Sequence, residues 1–279
     1  MNITIIGLGL IGGSMAIALK AGKICHHITG VDFNTLHCEQ ALQLGLVDET
    51  ATLDAGIAIA DLIIIAIPVD KINEILPGVL DLVKMQVVMD VGSTKSVICA
   101  QVTEHINRKR FVASHPMWGT EFSGPAAAVK AAFKNKAAVI CNKNESAKDA
   151  LEMVENVYRT LDMHLIYMNA EEHDVHTAYV SHVSHITSFA LANTVLQKEK
   201  EDDKIFELAS GGFESTVRLA KSNPLMWVPI LQQNRENVLD VLNEHISQLN
   251  KFKSCLENEN YEYLTMLIQE ANTIRRILK

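Results

Sequence analysis

The chain has 279 residues, with 25 basic against 33 acidic side chains and a formal net charge of −8. That length suits one large domain or two modest ones, each able to bury its own core. The acidic balance without a basic block argues against nucleic-acid binding, and the longest apolar run, residues 62–69, contains Pro68 and is too short to span a membrane.

Residues 2–6 form a short apolar run fit for a buried strand. Gly7-Leu8-Gly9-Leu10-Ile11-Gly12 follows at once, and Gly13-Ser14-Met15-Ala16-Ile17-Ala18-Leu19 reads as the start of a helix. Gly7 permits a tight strand-to-helix turn, Gly9 lets a pyrophosphate approach the backbone, and Gly12 lets the helix pack closely on the strand. The anion then sits on unpaired N–H groups at the positive end of the helix. A second apolar strand, 28–31, ends at Asp32, 20 residues beyond Gly12, where a carboxylate can accept both ribose hydroxyls. Phe33-Asn34-Thr35 brings no Lys or Arg that could pair with a 2′-phosphate, so the expected cofactor is NAD, held by Gly7, Gly9, Leu10, Ile11, Gly12 and Asp32.

Further strands are expected at 62–67, 87–91, 111–114, 137–141 and 164–167, with helices at 35–44, 69–83, 95–106 and 146–161. This alternation predicts an α/β fold with a mainly parallel sheet covered on both faces. Ligands in such sheets sit at the carboxyl ends of the strands, so Pro68, Gly92-Ser93 and His115-Pro116 should face the cofactor.

From about Asn169 the strand pattern stops. Residues 171–199 read as one long helix, 199–204 as a charged break, and Ser210-Gly211-Gly212 as a turn. Apolar residues recur at helical spacing in 234–256 (Val238, Val241, Leu242, Ile246, Leu249, Phe252) and in 263–278 (Leu264, Leu267, Ile268, Ala271, Ile274, Ile277). The expected organisation is an N-terminal Rossmann domain, 1–167, followed by an all-helical domain, 168–279. The apolar faces of the second suggest a homodimer, with a monomer core as the alternative. The five cysteines (Cys25, Cys38, Cys99, Cys141, Cys255) show no CxxC pairing, and the chain begins directly with a core strand, leaving no room for a signal peptide. A cytoplasmic protein with reduced thiols is expected.

His115, just beyond a strand at the cofactor end, is a candidate proton acceptor during hydride loss. Its other reading is a histidine bonded to a loop carbonyl. Ser93 or Thr94 can cap the following helix, or touch substrate. On the long helix, Thr177, Ser181, Ser184, His185 and Ser188 fall within about a 100° arc, a polar stripe in need of partners, with His182 to one side of it. The pairs His173/His176 and His182/His185 lack further ligands at a standard spacing, so no metal is expected. Arg218 is either a carboxylate clamp or half of a surface ion pair.

Over nearly its whole length the chain resembles the prephenate dehydrogenases of tyrosine biosynthesis. The matching pieces are residues 7–14, Gly92-Ser93, 115–121, Ser181-His182-Val183-Ser184-His185, 211–213, Arg218 and 224–227. The resemblance implies a Rossmann domain followed by an all-helical dimerisation domain. By that likeness His115 accepts the C4 hydroxyl proton of prephenate, and Ser93 helps hold His115 and the substrate. Thr120 and Glu121 line the entrance, Ser181 and His185 contact substrate, and Arg218 binds a substrate carboxylate. The implied reaction passes hydride from C4 to NAD⁺, releases the ring carboxylate as CO₂, and yields 4-hydroxyphenylpyruvate. The chain departs from the family pattern at Glu214-Ser215, where a basic residue and Asp are common, which leaves arogenate open as the substrate. Trp118 stands at a usually small position, where it would narrow the pocket, and Ser184 replaces a common Pro. The helical part ends at Lys279, so no fused regulatory or mutase domain is expected after it. A β-hydroxyacid dehydrogenase, which would use a helical-domain Lys, and a non-catalytic NAD-sensing protein are the competing readings. Ser181 and His185 weigh against the first; His115, the polar stripe and Arg218 together weigh against the second.

Overall fold

The computed structural model describes residues 1–200 and 204–277; residues 201–203 of the expected charged break, and Leu278 at the end of the last expected helix, lie outside the described residues. In chain order the first part comprises β1 (Asn2–Ile6), α1 (Leu10–Ala21), β2 (His27–Val31), α2 (Thr35–Gln43), β3 (Glu49–Thr50), α3 (Leu53–Ile59) and β4 (Leu62–Ile65). It continues through α4 (Val69–Leu82), β5 (Val87–Asp90), α5 (Ser96–Val102), β6 (Phe111–Pro116), β7 (Ala137–Cys141), α6 (Lys148–Thr160) and β8 (His164–Met168). The strands form one eight-stranded sheet in the order β3-β2-β1-β4-β5-β6-β7-β8. Every neighbouring pair is parallel except β6 with β7, which a loop joins without a crossover helix.

Apolar runs such as Leu62-Ile63-Ile64-Ile65 arise because the sheet is covered on both sides and successive side chains point to opposite faces. Leu62 and Ile64 enter one core with Met15 and Leu19 of α1 and Val154 and Tyr158 of α6. Ile63 and Ile65 enter the other, with Ile72, Leu76 and Val79 of α4 and Ile98 of α5. The strand order reverses between β1 and β4, which places the switch point beside the glycine turn.

That turn is built as its spacing predicts. Gly7 sits at φ +97°, and a Cβ there would strike the Ala66 carbonyl. A Cβ on Gly12 would run into the Gly7 carbonyl oxygen, whereas one on Gly9 would meet nothing within 4 Å. Protein packing therefore demands glycine at 7 and 12, while at 9 it does not.

Beyond β8 the described chain is helical: α7 (Ala170–Thr177), a π-helical turn Ala178–His182, α8 (Val183–Glu199), α9 (Gly211–Val217), α10 (Pro224–Gln233), α11 (Arg235–Glu257) and α12 (Tyr261–Ala271). The single helix expected at 171–199 is thus interrupted by a wider turn, which rotates everything after it relative to α7. Ser210-Gly211-Gly212 is the start of α9 rather than a free turn, and the helix expected at 95–106 is confined to α5. β3, α3 and α10 have no counterpart among the expected elements. The helices dock on the sheet domain through Val69 of α4, which packs with Trp227 and Ile230 of α10. A Thr94 hydroxyl bond to Gln233 Oε1 at 2.7 Å adds to this contact.

The glycines separate folding from binding. Overpacking typically costs about 1–3 kcal/mol, or about 2–4 °C of Tm per kcal/mol at this size, so Gly12→Ala is expected to melt several degrees lower in calorimetry without dinucleotide. Gly9→Ala is expected to melt with the wild type under the same conditions; a drop equal to that of Gly12→Ala would contradict this division.

Candidate active site

The dinucleotide cradle and the candidate base lie on the same edge of the sheet. At the end of β2, Asp32 Oδ2 accepts the Leu8 N–H at 2.9 Å and Oδ1 accepts the Asn34 N–H at 2.9 Å. Asn34 in turn caps α2 by accepting the Leu36 N–H at 3.0 Å. The carboxylate is therefore fixed to the glycine turn, with His37 Nδ1 a further 3.4 Å contact of Oδ2, while Oδ1 retains a lone pair for a ribose hydroxyl. The open face above Gly9, the bare start of α1 and this carboxylate are a donor and acceptor set that fits a dinucleotide.

His115 sits near the end of β6. Its Nδ1 lies 2.9 Å from His173 Nε2, with the rings edge to face at a centroid distance of 5.1 Å. His173 Nδ1 lies 2.8 Å from Asp174 Oδ1, and both residues of α7 are only 1% exposed. Asp174 also accepts the N–H groups of Lys95 and Ser96, each at 2.8 Å. The cap of α5 is thus a carboxylate from the helical part, not Ser93 or Thr94. Burial, then the nearby His173, Lys95 and His182, pushes the His115 imidazole well below its ordinary range. Burial also lowers His173, outweighing the opposing bond to Asp174. For Asp174 burial works upward, but the His173 bond and the Ser96 and Lys95 N–H groups win and hold the carboxyl below its usual value.

Beneath His115, Asp90 pairs with the fully buried Lys95 and accepts the Gly92 and Ser114 N–H groups. Ser114 Oγ donates to the Asp90 carbonyl at 2.6 Å and meets Tyr158 Oη at 2.6 Å. Ser93 makes no hydrogen bond to His115, whose Nδ1 faces His173; the Ser93 hydroxyl has no hydrogen-bond partner among the described residues.

The helical wall brings together fewer of the expected residues than the stripe suggests. Thr177 bonds back to the carbonyls of His173 and Asp174, Ser188 donates to the Thr216 carbonyl, and Ser184 is exposed. The π-helical turn and these local bonds leave Ser181 and His185. His185 Nδ1 donates to the Ser181 carbonyl at 3.0 Å, and its ring stacks on Trp227 at a centroid distance of 3.4 Å. Burial, outweighing that bond, lowers His185. His182 is a structural residue: its Nδ1 accepts from Asn234 Nδ2 at 3.1 Å, and burial drives it down to about 4. The Trp227 indole N–H is buried without a partner among the described residues.

Between the two parts of the chain, Arg218 Nη1 meets Glu121 Oε2 at 3.0 Å, with the arginine side chain 50% and the glutamate 15% exposed. Both readings of Arg218 meet here, since the pair is half-exposed and yet leaves guanidinium N–H groups to spare. Thr120 Oγ1 accepts the Phe122 N–H at 3.3 Å beside it. Trp118 packs edge to face on Phe133 at 5.4 Å and borders the first core, so its bulk goes into the loop's packing. Among the described residues no group of three or more His, Cys, Asp or Glu side chains is placed to hold a metal ion.

The residues missed by sequence reasoning are Asp90, Lys95, Asp174, Trp227 and Asn234, and His173 in any role but metal binding. Only the adjacency of His173 and Asp174 could have drawn notice, and nothing local ties them to His115, 58 positions away.

Residues 15–167 match the family model for the nucleotide-binding domain of prephenate dehydrogenase, and residues 169–270 match that for its dimerization domain. Asp32, Ser93, His115, Thr120 and Glu121 fall in the first match, Ser181, His185 and Arg218 in the second, and the glycine turn precedes both. The chain is similar to a prephenate dehydrogenase of Bacillus subtilis, 32% identical over 278 residues, which cover 98% of this chain and 75% of the relative. It is also similar to a cyclohexadienyl dehydrogenase of Zymomonas mobilis, 28% identical, with 100% and 96% covered. Among solved structures, prephenate dehydrogenase from A. aeolicus in complex with hydroxyphenyl propionate and NAD⁺ superposes with a TM-score of 0.92 at 29% identity, covering 100% of this chain and 98% of that one. The sheet order, the glycine turn with its carboxylate, and these matches across both parts agree: the chain belongs to the prephenate dehydrogenase family.

Proposed function

We propose that the protein oxidises prephenate with NAD⁺, releasing CO₂ and 4-hydroxyphenylpyruvate for tyrosine biosynthesis. The observation that carries the reading is His115, part-buried with its imidazole pushed well below its ordinary range, on the same strand edge as the glycine turn and Asp32. Residues 1–167 would bind NAD⁺, and residues 168–279 would bind substrate and dimerise. Gly7, Gly9, Leu10, Ile11, Gly12 and Asp32 would hold NAD⁺, which when bound would supply the acceptor for the hydride leaving C4 of the cyclohexadienol.

His115 accepts the C4 hydroxyl proton through Nε2, since Nδ1 is engaged by His173. Loss of the ring carboxylate sends its electron pair through the ring to the C4 oxygen, which recovers a proton as the phenol forms. Arg218 clamps a substrate carboxylate with guanidinium N–H groups not used by Glu121. Ser93, its hydroxyl unpartnered, contacts substrate from the sheet side, and Ser181 and His185 contact it from the helical wall. Thr120 and Glu121 line the entrance. A broader specificity that includes arogenate is the second reading, favoured by the cyclohexadienyl dehydrogenase relative and by Glu214-Ser215, both exposed here.

The free cysteines suit a reducing cytoplasm, and among the described residues no helix is long and apolar enough to cross a membrane. Val238, Val241 and Leu267 are buried within the chain, but Ile246, Leu249, Leu256, Met266, Ile268, Ile274 and Ile277 are exposed along α11, α12 and the turn after them. Covering that surface with a second copy gives a two-fold homodimer. Light scattering at low micromolar concentration is expected to give about twice 30.8 kDa, and a monomer mass alone would contradict the dimer.

His115→Asn keeps a hydrogen-bonding side chain but removes the base, so kcat should fall roughly 10²–10⁴-fold with NAD⁺ affinity retained. Only the neutral imidazole accepts a proton, and burial lowers its pKa. The acid limb of kcat/KM should therefore lie below pH 6.5 and vanish in the variant. Near wild-type kcat with the same limb would assign the base elsewhere.

Arg218→Ala should raise the prephenate KM more than tenfold, because a charge-assisted bond that bound substrate covers costs about 2–5 kcal/mol to lose, while NAD⁺ affinity stays nearly unchanged. An unaltered prephenate KM would place the carboxylate site elsewhere.

A further inference from the structure

We infer that His173 and Asp174 form a buried relay behind His115 that dictates which of its ring nitrogens is bare, making both of them positioning residues for the dehydrogenation. The inference rests on His115 being the base and deepens that reading. It follows from counting protons along three contacts. The Asp174 carboxylate only accepts, so the His173 nitrogen 2.8 Å away, Nδ1, carries its hydrogen. A neutral His173 then has a bare Nε2, which can only accept. The His115 nitrogen 2.9 Å from it, Nδ1, must therefore donate. By elimination the lone pair of His115 is on Nε2, the nitrogen not turned toward His173. The opposite tautomer would set two lone pairs against each other at that distance and forfeit a buried hydrogen bond, a bias of about tenfold or more.

The anchor of the relay is rigid. Asp174 is held by the Lys95 and Ser96 N–H groups, and its carbonyl accepts Asn234 Nδ2 at 2.6 Å. His173 and Asp174 are each 1% exposed, so water does not replace either contact. The charged and titratable groups around the base are His173 and Asp174 from α7, Asp90 from the end of β5, Lys95 from the turn after it, and His182 from the π-helical turn. Lys95 is neutralised by Asp90, and burial drives His182 down to about 4 while Asn234 Nδ2 donates to its Nδ1. When Nε2 takes the C4 hydroxyl proton, Nδ1–H keeps donating to His173, whose own Nδ1–H keeps donating to Asp174. No proton need pass along the relay: one arrives at Nε2 and the same one returns to the phenol oxygen. The logic matches that of a carboxylate that orients a catalytic histidine in hydrolases, where loss of the correct tautomer costs about 10⁴-fold.

The test compares His173→Leu, which removes the acceptor, with His173→Gln, whose amide oxygen can reach the same place. His173→Leu should lose roughly 10²–10⁴-fold in kcat, with the KM for prephenate and NAD⁺ changed less than about threefold. His173→Gln should recover at least about tenfold of that loss. In ¹⁵N spectra of the full-length protein, with the His115 resonances assigned by their loss in His115→Asn, the wild type should show Nδ1 protonated and Nε2 bare. His173→Leu should show a mixture and His173→Gln the wild-type form. The relay is overturned if His173→Leu keeps wild-type kcat, or if both variants lose activity equally while the His115 tautomer stays unchanged. Should wild-type protein form no NADH from prephenate while the spectra change as stated, the relay stands and the substrate reading falls.

Discussion

The carboxylate of Asp174 joins the two halves of the molecule. It receives the backbone of Lys95 and Ser96 from the sheet domain and the ring of its own neighbour His173 from α7. Through His173 it reaches His115 on β6. A buried carboxylate without partners is untenable, and removing one partner of such a group typically costs about 3–5 kcal/mol. The helical part therefore has one register on the sheet in which this charge is satisfied, and in that register the His115 ring is oriented as well. A second buried charge pair, Asp90 with Lys95, lies beneath it and gathers the Gly92 and Ser114 N–H groups. The floor of the site is a polar network set into an apolar sheet, and its members hold each other in place.

This arrangement assigns different work to the two parts. The sheet carries His115, the proposed base, and the dinucleotide cradle, whose positions follow from strand register and the glycine turn. The helices supply the groups that would read the substrate: Ser181, His185 and Arg218. Trp227 supports both, stacking on His185 while packing with Val69 of α4. Glu121 and Arg218 form an ion pair between the sheet part and the helical part. Burial of His115 disfavours its charged form, which suits the proposed role of proton acceptor at neutral pH.

What could be read from the residues in advance was whatever is local in the chain. Gly7, Gly9, Gly12 and Asp32 belong to one strand–helix–strand unit, so their spacing carries their geometry. The doubly buried strands announce themselves as unbroken runs such as Ile63-Ile64-Ile65, and His115 stands out by its place at a strand end. The two-residue β3 and the seven-residue α3 are too short for a periodic pattern to develop. The stripe from Thr177 to Ser188 assumed an uninterrupted α-helix, and the π-helical turn at Ala178–His182 breaks that assumption. The cap of α5 and the partner of His115 come from residues 78 or more and 58 positions away, distances over which spacing carries no information.

The most direct measurement is spectrophotometric. Purified protein is mixed with NAD⁺ and prephenate, NADH is followed by its absorbance, and the product is identified by chromatography. The account predicts NADH and 4-hydroxyphenylpyruvate in equal amounts, with prephenate consumed to completion because aromatisation makes the step irreversible. No NADH from prephenate, with arogenate equally inert, would contradict it.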